Sequence, residues 1–299
     1  MLIGSAAGGG FPQWNCWCPT CRAARENAHL ARPRLQSSLA VSADGHAWFL
    51  CNASPDVREQ LPMLPSRPTD GLRHTPVEGI ILTDAELDHT LGIALLREGR
   101  RLRVWATAAV TRTLECDSRI LPVTRAFAHV DVMELSLDTP TPLRDRDDAP
   151  SGLVVEAFPV SGDPPRFASA DLPGHTIGLV IRDAATGGTC VFLPGCGALD
   201  HSLLDRLAGA DLVFFDGTCW SDDELIRLGI SERTATEMGH LSISGADGSL
   251  AQLARLRARH KVYTHLNNTN PILLERSPER RAVEEVGLTV GMDGMHYEL

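Results

Sequence analysis

An apolar stretch that stops at a cluster of acids and a histidine constrains this chain more than any other feature. Gly79-Ile80-Ile81-Leu82-Thr83 reads as the end of a buried strand and a helix begins near Asp88. Asp84, Glu86, Asp88 and His89 fall at that junction, four ionisable side chains within six residues. A strand that leads straight into a helix puts the connecting loop at the carboxyl end of a sheet, where α/β proteins frequently bind ligands. Carboxylates packed this densely repel one another unless a cation or a proton sits among them. Taken alone, the same residues also fit a helix-capping aspartate with incidental acids beside it.

The rest of the chain predicts more strands and helices of the same kind. Ser37–Val41 and Ala47–Cys51 flank Asp44-Gly45, a hairpin signal. Ser54-Pro55 reads as an N-cap and first helical residue of a helix to about Leu64. Val77–Thr83 and Leu102–Ala106 are predicted strands, Asp88–Glu98 a helix, and Thr107 the cap of a helix through Glu115. Val132–Leu137, Leu153–Val160, Thr176–Arg182, Cys190–Pro194, Asp211–Asp216 and Lys261–His265 complete the strands; Ser202–Ala208 and Ser249–Arg259 are helices, and Leu288–Leu299 is a terminal hairpin. Asp138–Gly152 and Ser161–Gly174, rich in Pro, Asp, Ser and Gly, take no regular assignment, and the second is favoured as a lid. The mixture predicts a layered α/β architecture rather than a pure doubly wound sheet. Neither loop interrupts the pattern, so residues 1–299 are expected to form a single domain.

Composition excludes several roles. No run approaches the roughly 18 apolar residues of a membrane-spanning helix, so membrane insertion is not expected. The opening Met1-Leu2-Ile3-Gly4-Ser5 lacks a basic start and a long apolar core, which makes a cytoplasmic location the expectation. Net charge is −10, Lys261 is the only lysine, and no basic block is present, so nucleic acid is an unsuitable partner. Arginine does suit fork-like recognition of carboxylates.

Of eight cysteines, Cys16, Cys18 and Cys21 fall within six residues, in Trp14-Asn15-Cys16-Trp17-Cys18-Pro19-Thr20-Cys21. Three thiolates this close can converge on one tetrahedral Zn2+, with a fourth ligand from elsewhere. A redox pair at Cys18 and Cys21 would not need Cys16. Cys51, Cys190 and Cys219 lie in or beside apolar runs and read as small buried hydrophobes.

Polar groups follow other apolar runs too: Cys196, Asp216, His240 and His265. In this order the strand–Asp84-x-Glu86-x-Asp88-His89–helix segment, Pro194-Gly195-Cys196, Asp216 and His265 resemble the motifs of the metallo-β-lactamase superfamily. That resemblance implies a four-layer αβ/βα sandwich. Asp84 and Glu86 stand where the superfamily's main motif has its first two histidines, Asp88 and His89 match, and Cys196 takes the bridging aspartate position. The run Gly4–Cys16, Cys51-Asn52-Ala53-Ser54-Pro55-Asp56, Met238-Gly239-His240, His265-Leu266-Asn267-Asn268-Thr269-Asn270-Pro271 and Asp293-Gly294-Met295 narrow it further. They resemble the family of B proteins of pyrroloquinoline quinone (PQQ) biosynthesis.

The resemblance implies an iron-dependent hydroxylase acting on a cross-linked glutamate–tyrosine precursor of PQQ, working among other proteins of that pathway. Loss of the first two histidines cripples the first metal site of a hydrolase, whereas Asp88, His89 and His265 remain as a two-histidine, one-carboxylate set suited to Fe2+ and also able to bind zinc. Asp84 and Glu86 are then expected to orient ligands or transfer protons, with Asp216 and His240 beside them. Arg166 is a candidate for substrate carboxylates. Related phosphodiesterase-like members place a histidine ligand for the cysteine site three residues past the final active-site histidine; here that position is Asn268, so the fourth ligand is the Asn268 oxygen, water or another residue. Two other readings stay open: a carrier that binds PQQ or its precursor on the way to the periplasm, and a metallohydrolase.

Overall fold

The computed structural model describes residues 1–66, 72–99 and 101–299. Within them, six strands lie side by side in chain order: β1 (Leu2–Gly4), β2 (Ser38–Val41), β3 (Trp48–Cys51), β4 (Val77–Ile81), β5 (Arg101–Ala106) and β6 (His129–Glu134). Strands β1 to β3 are antiparallel, and β3 to β6 are parallel. A second sheet runs β7 (Thr141–Arg144), β8 (Pro150–Pro159), β9 (Ile177–Asp183), β10 (Thr189–Leu193), β11 (Leu212–Asp216), β12 (His260–Thr264) and β13 (Thr289–Val290). It too begins antiparallel, through β10, and ends parallel. Both halves thus have one construction, although no repeat is visible in the sequence.

Parallel neighbours require crossovers, and those crossovers are the helices. On the first sheet they are α2 (Val57–Gln60), α3 (Leu87–Leu95), α4 (Ala108–Arg112) and α5 (Ile120–Arg125), while α1 (Pro19–Glu26) links β1 to β2. On the second they are α6 (His201–Ala208), α7 (Glu224–Arg227), α8 (Ser249–Leu253) and α9 (Pro278–Glu285). Because side chains alternate along a strand, each sheet has two apolar faces. Phe49, Cys51, Ile81, Trp105, Leu179, Phe192 and Phe214 pack between the sheets. Leu50, Ile80 and Val104 meet Val57, Ile93, Val110 and Leu121 outside the first sheet. Val191, Leu193, Val213 and Phe215 meet Leu203, Leu207, Leu253 and Val283 outside the second. Three apolar interfaces between four layers of secondary structure make the expected αβ/βα sandwich. Cys51 and Cys190 are buried in the middle interface and Cys219 in a small satellite cluster, as small hydrophobes.

Several boundaries differ from the sequence reading. Asp138–Gly152 is not a loop throughout: it holds β7 and the start of β8. Leu143 is its only residue in the inter-sheet core, so an edge hairpin with one apolar anchor carried no alternating signal. The turn is closed by Asp145, whose Oδ1 accepts the backbone N–H of Asp147 and Ala149 at 3.0 and 2.8 Å. Leu288–Leu299 is not a hairpin either. Only Thr289–Val290 pair, parallel to Val262 and Tyr263, and the tail then crosses to the other sheet, where Leu2 donates to the Met295 carbonyl at 2.8 Å. Asp293 sets that path by accepting the Ser5 hydroxyl at 2.7 Å and the Leu35 N–H at 2.6 Å.

Ser54 does not cap its helix. Its hydroxyl accepts the Asp56 N–H and donates to Gln60 Oε1, so α2 begins only at Val57. Strand β6 lies about three residues ahead of the predicted Val132–Leu137, and the Ser249–Arg259 helix stops at Leu253. β1, α5 and α7, of three to six residues, are too short to carry a periodic signal, and α1 and α9, of eight residues each, were likewise not expected from the sequence. Thr107 does cap α4, accepting the Val110 N–H at 3.2 Å. No helix among the described residues is long and apolar enough to cross a membrane.

Candidate metal centre

The loop after β4 is organised by one buried carboxylate. Asp84 Oδ1 accepts the Glu86 N–H at 2.9 Å, closing the turn, and Oδ2 accepts the Thr83 hydroxyl at 2.8 Å. Glu86, with extended backbone, precedes the first residue of α3, and an acid at Asp88 in the first turn complements the positive helix N-terminus. His89, in the same turn, is 3% exposed, and both Asp84 oxygens stand 2.8 Å from its Nδ1. The helix is laid tightly against the loop after β3: a β-carbon on Gly92 would meet the carbonyl oxygens of Ser54 and Ala53 at 2.4 and 2.6 Å. Gly92 and His89 instead exchange backbone hydrogen bonds with Ala53, which fixes the depth at which His89 enters the site.

The second sheet contributes from the ends of β11 and β12. Asp216, fully buried, accepts the Cys196 N–H at 3.0 Å and holds His240 Nδ1 at 2.7 Å through Oδ2. Its Oδ1 accepts the N–H and the hydroxyl of Thr218 at 3.0 and 2.6 Å. With its proton on Asp216, the Thr218 oxygen accepts Nδ1–H of His265 at 2.8 Å. Each of the two facing imidazoles, His89 and His265, therefore has Nδ1 engaged by another side chain. Their Nε2 atoms converge on Asp88 Oδ2, His265 at 3.4 Å and His89 at 3.7 Å. Asp88, His89 and His265 each bring one ligand atom within 4.8 Å of the others. His89 Nε2 is buried without a hydrogen-bond partner. A buried polar nitrogen left bare is costly, and a cation held between the imidazoles and the carboxylate satisfies it. The donor set fits a metal ion, and tethering of the far ring nitrogen is the support that metal-binding histidines ordinarily receive.

Electrostatics follow from this crowding. Burial disfavours the His89 imidazolium, but the Asp84 and Asp88 carboxylates outweigh it and push its pKa up to about 9. Burial likewise works against charge on Asp88, and His89 together with the His265 hydrogen bond holds it well below the usual carboxylate range. For Glu86, burial and then the Asp84 and Asp88 charges outweigh the opposing pull of His89 and His240 and raise it to about 7. Burial opposes ionisation of both Asp216 and His240, yet the pair keeps the carboxyl low and the imidazole high.

The cluster forms the floor of a cavity of about 390 Å³. Gly162, Asp163, Pro164, Pro165 and Arg166, from the segment expected to be a lid, form one wall, and Arg233 lies on another. Cys196 does not enter the cluster: its sulfur faces the Ala198 carbonyl at 3.0 Å and packs in the outer core, so the bridging position offers only its backbone N–H, to Asp216.

Cys16, Cys18 and Cys21 sulfurs also lie within 4.8 Å of one another, at the start of α1. Asn268 adjoins them, its carboxamide nitrogen 3.3 Å from Cys21 Sγ and 3.7 Å from Cys18 Sγ, while its backbone carbonyl accepts the Thr20 hydroxyl. A half-turn of the carboxamide puts Oδ1 in the place of Nδ2.

The fold thus brings together Asp84, Glu86, Asp88, His89, Asp216, His240 and His265, with Arg166 on the same cavity and Asn268 at the cysteines. Sequence reading missed Thr218, which ties Asp216 to His265, and Arg233. The first stands two residues after Asp216 beyond an apolar strand, a signal that was available; the second lies in an irregular stretch and had none.

Fold and site together define a metallo-β-lactamase-type protein whose centre keeps a two-histidine, one-carboxylate donor set. Residues 47–266 match the model of the β-lactamase superfamily domain. The chain is 43% identical to coenzyme PQQ synthesis protein B of Gluconacetobacter diazotrophicus, over 99% of this chain and 97% of that one. It superposes on a Zn2+-bound PqqB from Methylobacterium extorquens with TM-score 0.88 at 37% identity, covering 100% and 99% of the two chains. A diphosphatase of the PhnP family shares the fold, with TM-score 0.68 at 20% identity over 100% and 97%. The chain belongs to the coenzyme PQQ synthesis protein B family.

Proposed function

We propose that this chain acts in PQQ biosynthesis as an oxygen-dependent hydroxylase of the tyrosine ring of a cross-linked glutamate–tyrosine precursor, with Fe2+ held by Asp88, His89 and His265. One observation carries the reading: two imidazoles tethered at Nδ1 turn their Nε2 atoms onto a single carboxylate. Two histidines and one carboxylate with open positions are the donor set of non-haem Fe2+ oxygenases. Bound there, Fe2+ supplies the activation of dioxygen. The named relatives support the pathway.

The chain's own residues supply the rest. Asp84 and Thr218 fix the two rings. Glu86, raised to about 7, holds or releases a proton at the cavity wall near neutrality. His240 is bound to Asp216 through Nδ1, which leaves Nε2 to exchange a proton with substrate. Zn2+ belongs at Cys16, Cys18 and Cys21 with Asn268 as fourth ligand. Arg166 and Arg233 receive the precursor's carboxylates. Replacing Arg233 by methionine removes a charge-assisted contact of about 1.5–3 kcal/mol, so KM is expected to rise about tenfold or more with kcat little changed. Steady-state kinetics check this, and an unchanged KM would remove Arg233 from the substrate site.

The deciding experiment is mass spectrometry of the precursor after incubation with Fe2+-reconstituted protein, air and a reductant, beside a Zn2+-loaded sample. Oxygen-atom mass gains with Fe2+ alone are expected. No gain under any loading, together with tight binding of PQQ or its precursor, would replace this reading with the carrier.

A further inference from the structure

A single short segment connects the two clusters of candidate metal ligands. His265 closes the centre, and Asn268 lies against the cysteine sulfurs three positions later. His265 itself has φ of +55°, a left-handed conformation that is strained for a non-glycine residue and persists only where its surroundings impose it. Those surroundings are the segment Leu266–Asn270. Leu266 exchanges backbone hydrogen bonds with Ser5 and Ala7, and Asn267 donates to the Thr218 carbonyl at 3.0 Å. Asn270 Nδ2 donates to the carbonyls of Gly217 and Thr218 at 2.9 and 3.3 Å. The Thr269 hydroxyl receives Asn267 Nδ2 and donates to Glu224, a carboxylate 3% exposed whose other oxygen accepts the Trp220 N–H at 2.7 Å. At the far end Asn268 is gripped by Thr20, Cys18 and Cys21. Gly217 packs closely against the start of the segment, where a β-carbon would lie 2.7 Å from Leu266 Cδ2.

We propose that Leu266–Asn270 is a strut through which the cysteine site positions His265, so that a metal held by Cys16, Cys18 and Cys21 raises the affinity of the Asp88–His89–His265 centre for its own metal. Thr269 and Glu224 are its positioning residues. The inference rests on the reading that this centre binds a metal. Pulling the three sulfurs onto an ion fixes Asn268, and a buried hydrogen-bonded segment passes that constraint to the strained His265 backbone. Coupling of this kind is reciprocal and commonly amounts to a roughly 5–150-fold change in affinity.

Co2+ serves as the probe, since a thiolate ligand set gives a charge-transfer absorption that the nitrogen–oxygen centre does not. Titration of the centre with Co2+ is expected to show about tenfold tighter binding when the cysteine site is filled with Zn2+ than when it has been stripped by the double substitution Cys16→Ser/Cys18→Ser, which keeps the probe out of it. In Thr269→Val both sites still bind, but the difference shrinks to about twofold, and affinity in the Zn2+-filled protein falls toward the stripped value. Thr269→Ser keeps the hydroxyl and keeps the full difference. If the stripped protein unfolds by circular dichroism, the comparison of the three Zn2+-filled proteins carries the test. Equal affinities in Thr269→Val and the unsubstituted protein overturn the strut, with the metal centre intact. A centre that binds no Co2+ under any condition overturns both.

Discussion

Replacing His89 by alanine is expected to abolish metal binding at the centre, and the proposed oxygen insertion with it, while metal binding at the cysteine site is unchanged. His89 supplies one of two nitrogens in the donor set, and the neighbouring acids gain nothing in exchange: Asp84 and Asp88 lose the cation that holds both of them low. They then take up protons or repel, and neither is a ring nitrogen of suitable reach. Asp84→Asn is the graded companion. The amide still fills the space beside His89 but no longer presents two anionic oxygens to Nδ1. Loss of such a supporting partner typically weakens metal affinity about 10–100-fold. Elemental analysis of protein dialysed against Fe2+ and Zn2+ checks both, the expected result being loss of one metal equivalent in His89→Ala and weakened retention in Asp84→Asn. Full metal content and turnover in His89→Ala would sink the ligand assignment.

The largest effect on stability is expected outside the candidate metal centre, in the layer between the sheets. Phe214 is 1% exposed in the layer between the sheets, edge-on to Phe192 at 6.4 Å and Tyr297 at 5.9 Å. Its replacement by alanine removes a buried ring and leaves a cavity that two opposed sheets cannot close, a change worth about 3–5 kcal/mol. Domains are stable by only about 5–15 kcal/mol, so this one substitution takes a large share of the margin. Phe127, 67% exposed, is the contrast: its alanine variant should stay within about 0.5 kcal/mol of the unsubstituted protein. Urea denaturation followed by circular dichroism compares them. Function is drawn in as well, because Asp88 and His89 come from the first sheet and His265 from the second. Whatever loosens the layer between the sheets loosens the centre, and a Phe214→Ala protein that unfolds at the usual urea concentration would show that the sheets do not depend on that layer.

Much of the site is legible in the sequence because its parts are local. Asp84 through His89 lie within one strand–helix junction, and Cys16, Cys18 and Cys21 within one turn. Their meaning comes from spacing, which a sequence displays directly. His265 and Asp216 are found by the same rule, a polar residue directly beyond an apolar strand. The edge hairpin at β7 and the path of the C-terminal tail are not legible, since one depends on a single anchor, Leu143, and the other on Asp293 capturing groups more than 250 residues away. Arg233 is invisible for the same reason: only the folded chain carries its irregular segment to the cavity wall.

By itself, then, the sequence determined the chemistry available and the alternation of strands and helices that builds four layers, because hydrophobic period and ligand spacing act over a few residues. Which nitrogen of each histidine is free, that Cys196 turns away, and that one short segment ties the cysteines to His265 were decided only by tertiary structure. Hydrogen bonds such as those of Asp84 with His89 and Thr218 with His265 choose among orientations that are equal in energy for an isolated segment. They form only once two sheets, distant in the chain, have packed their apolar faces together.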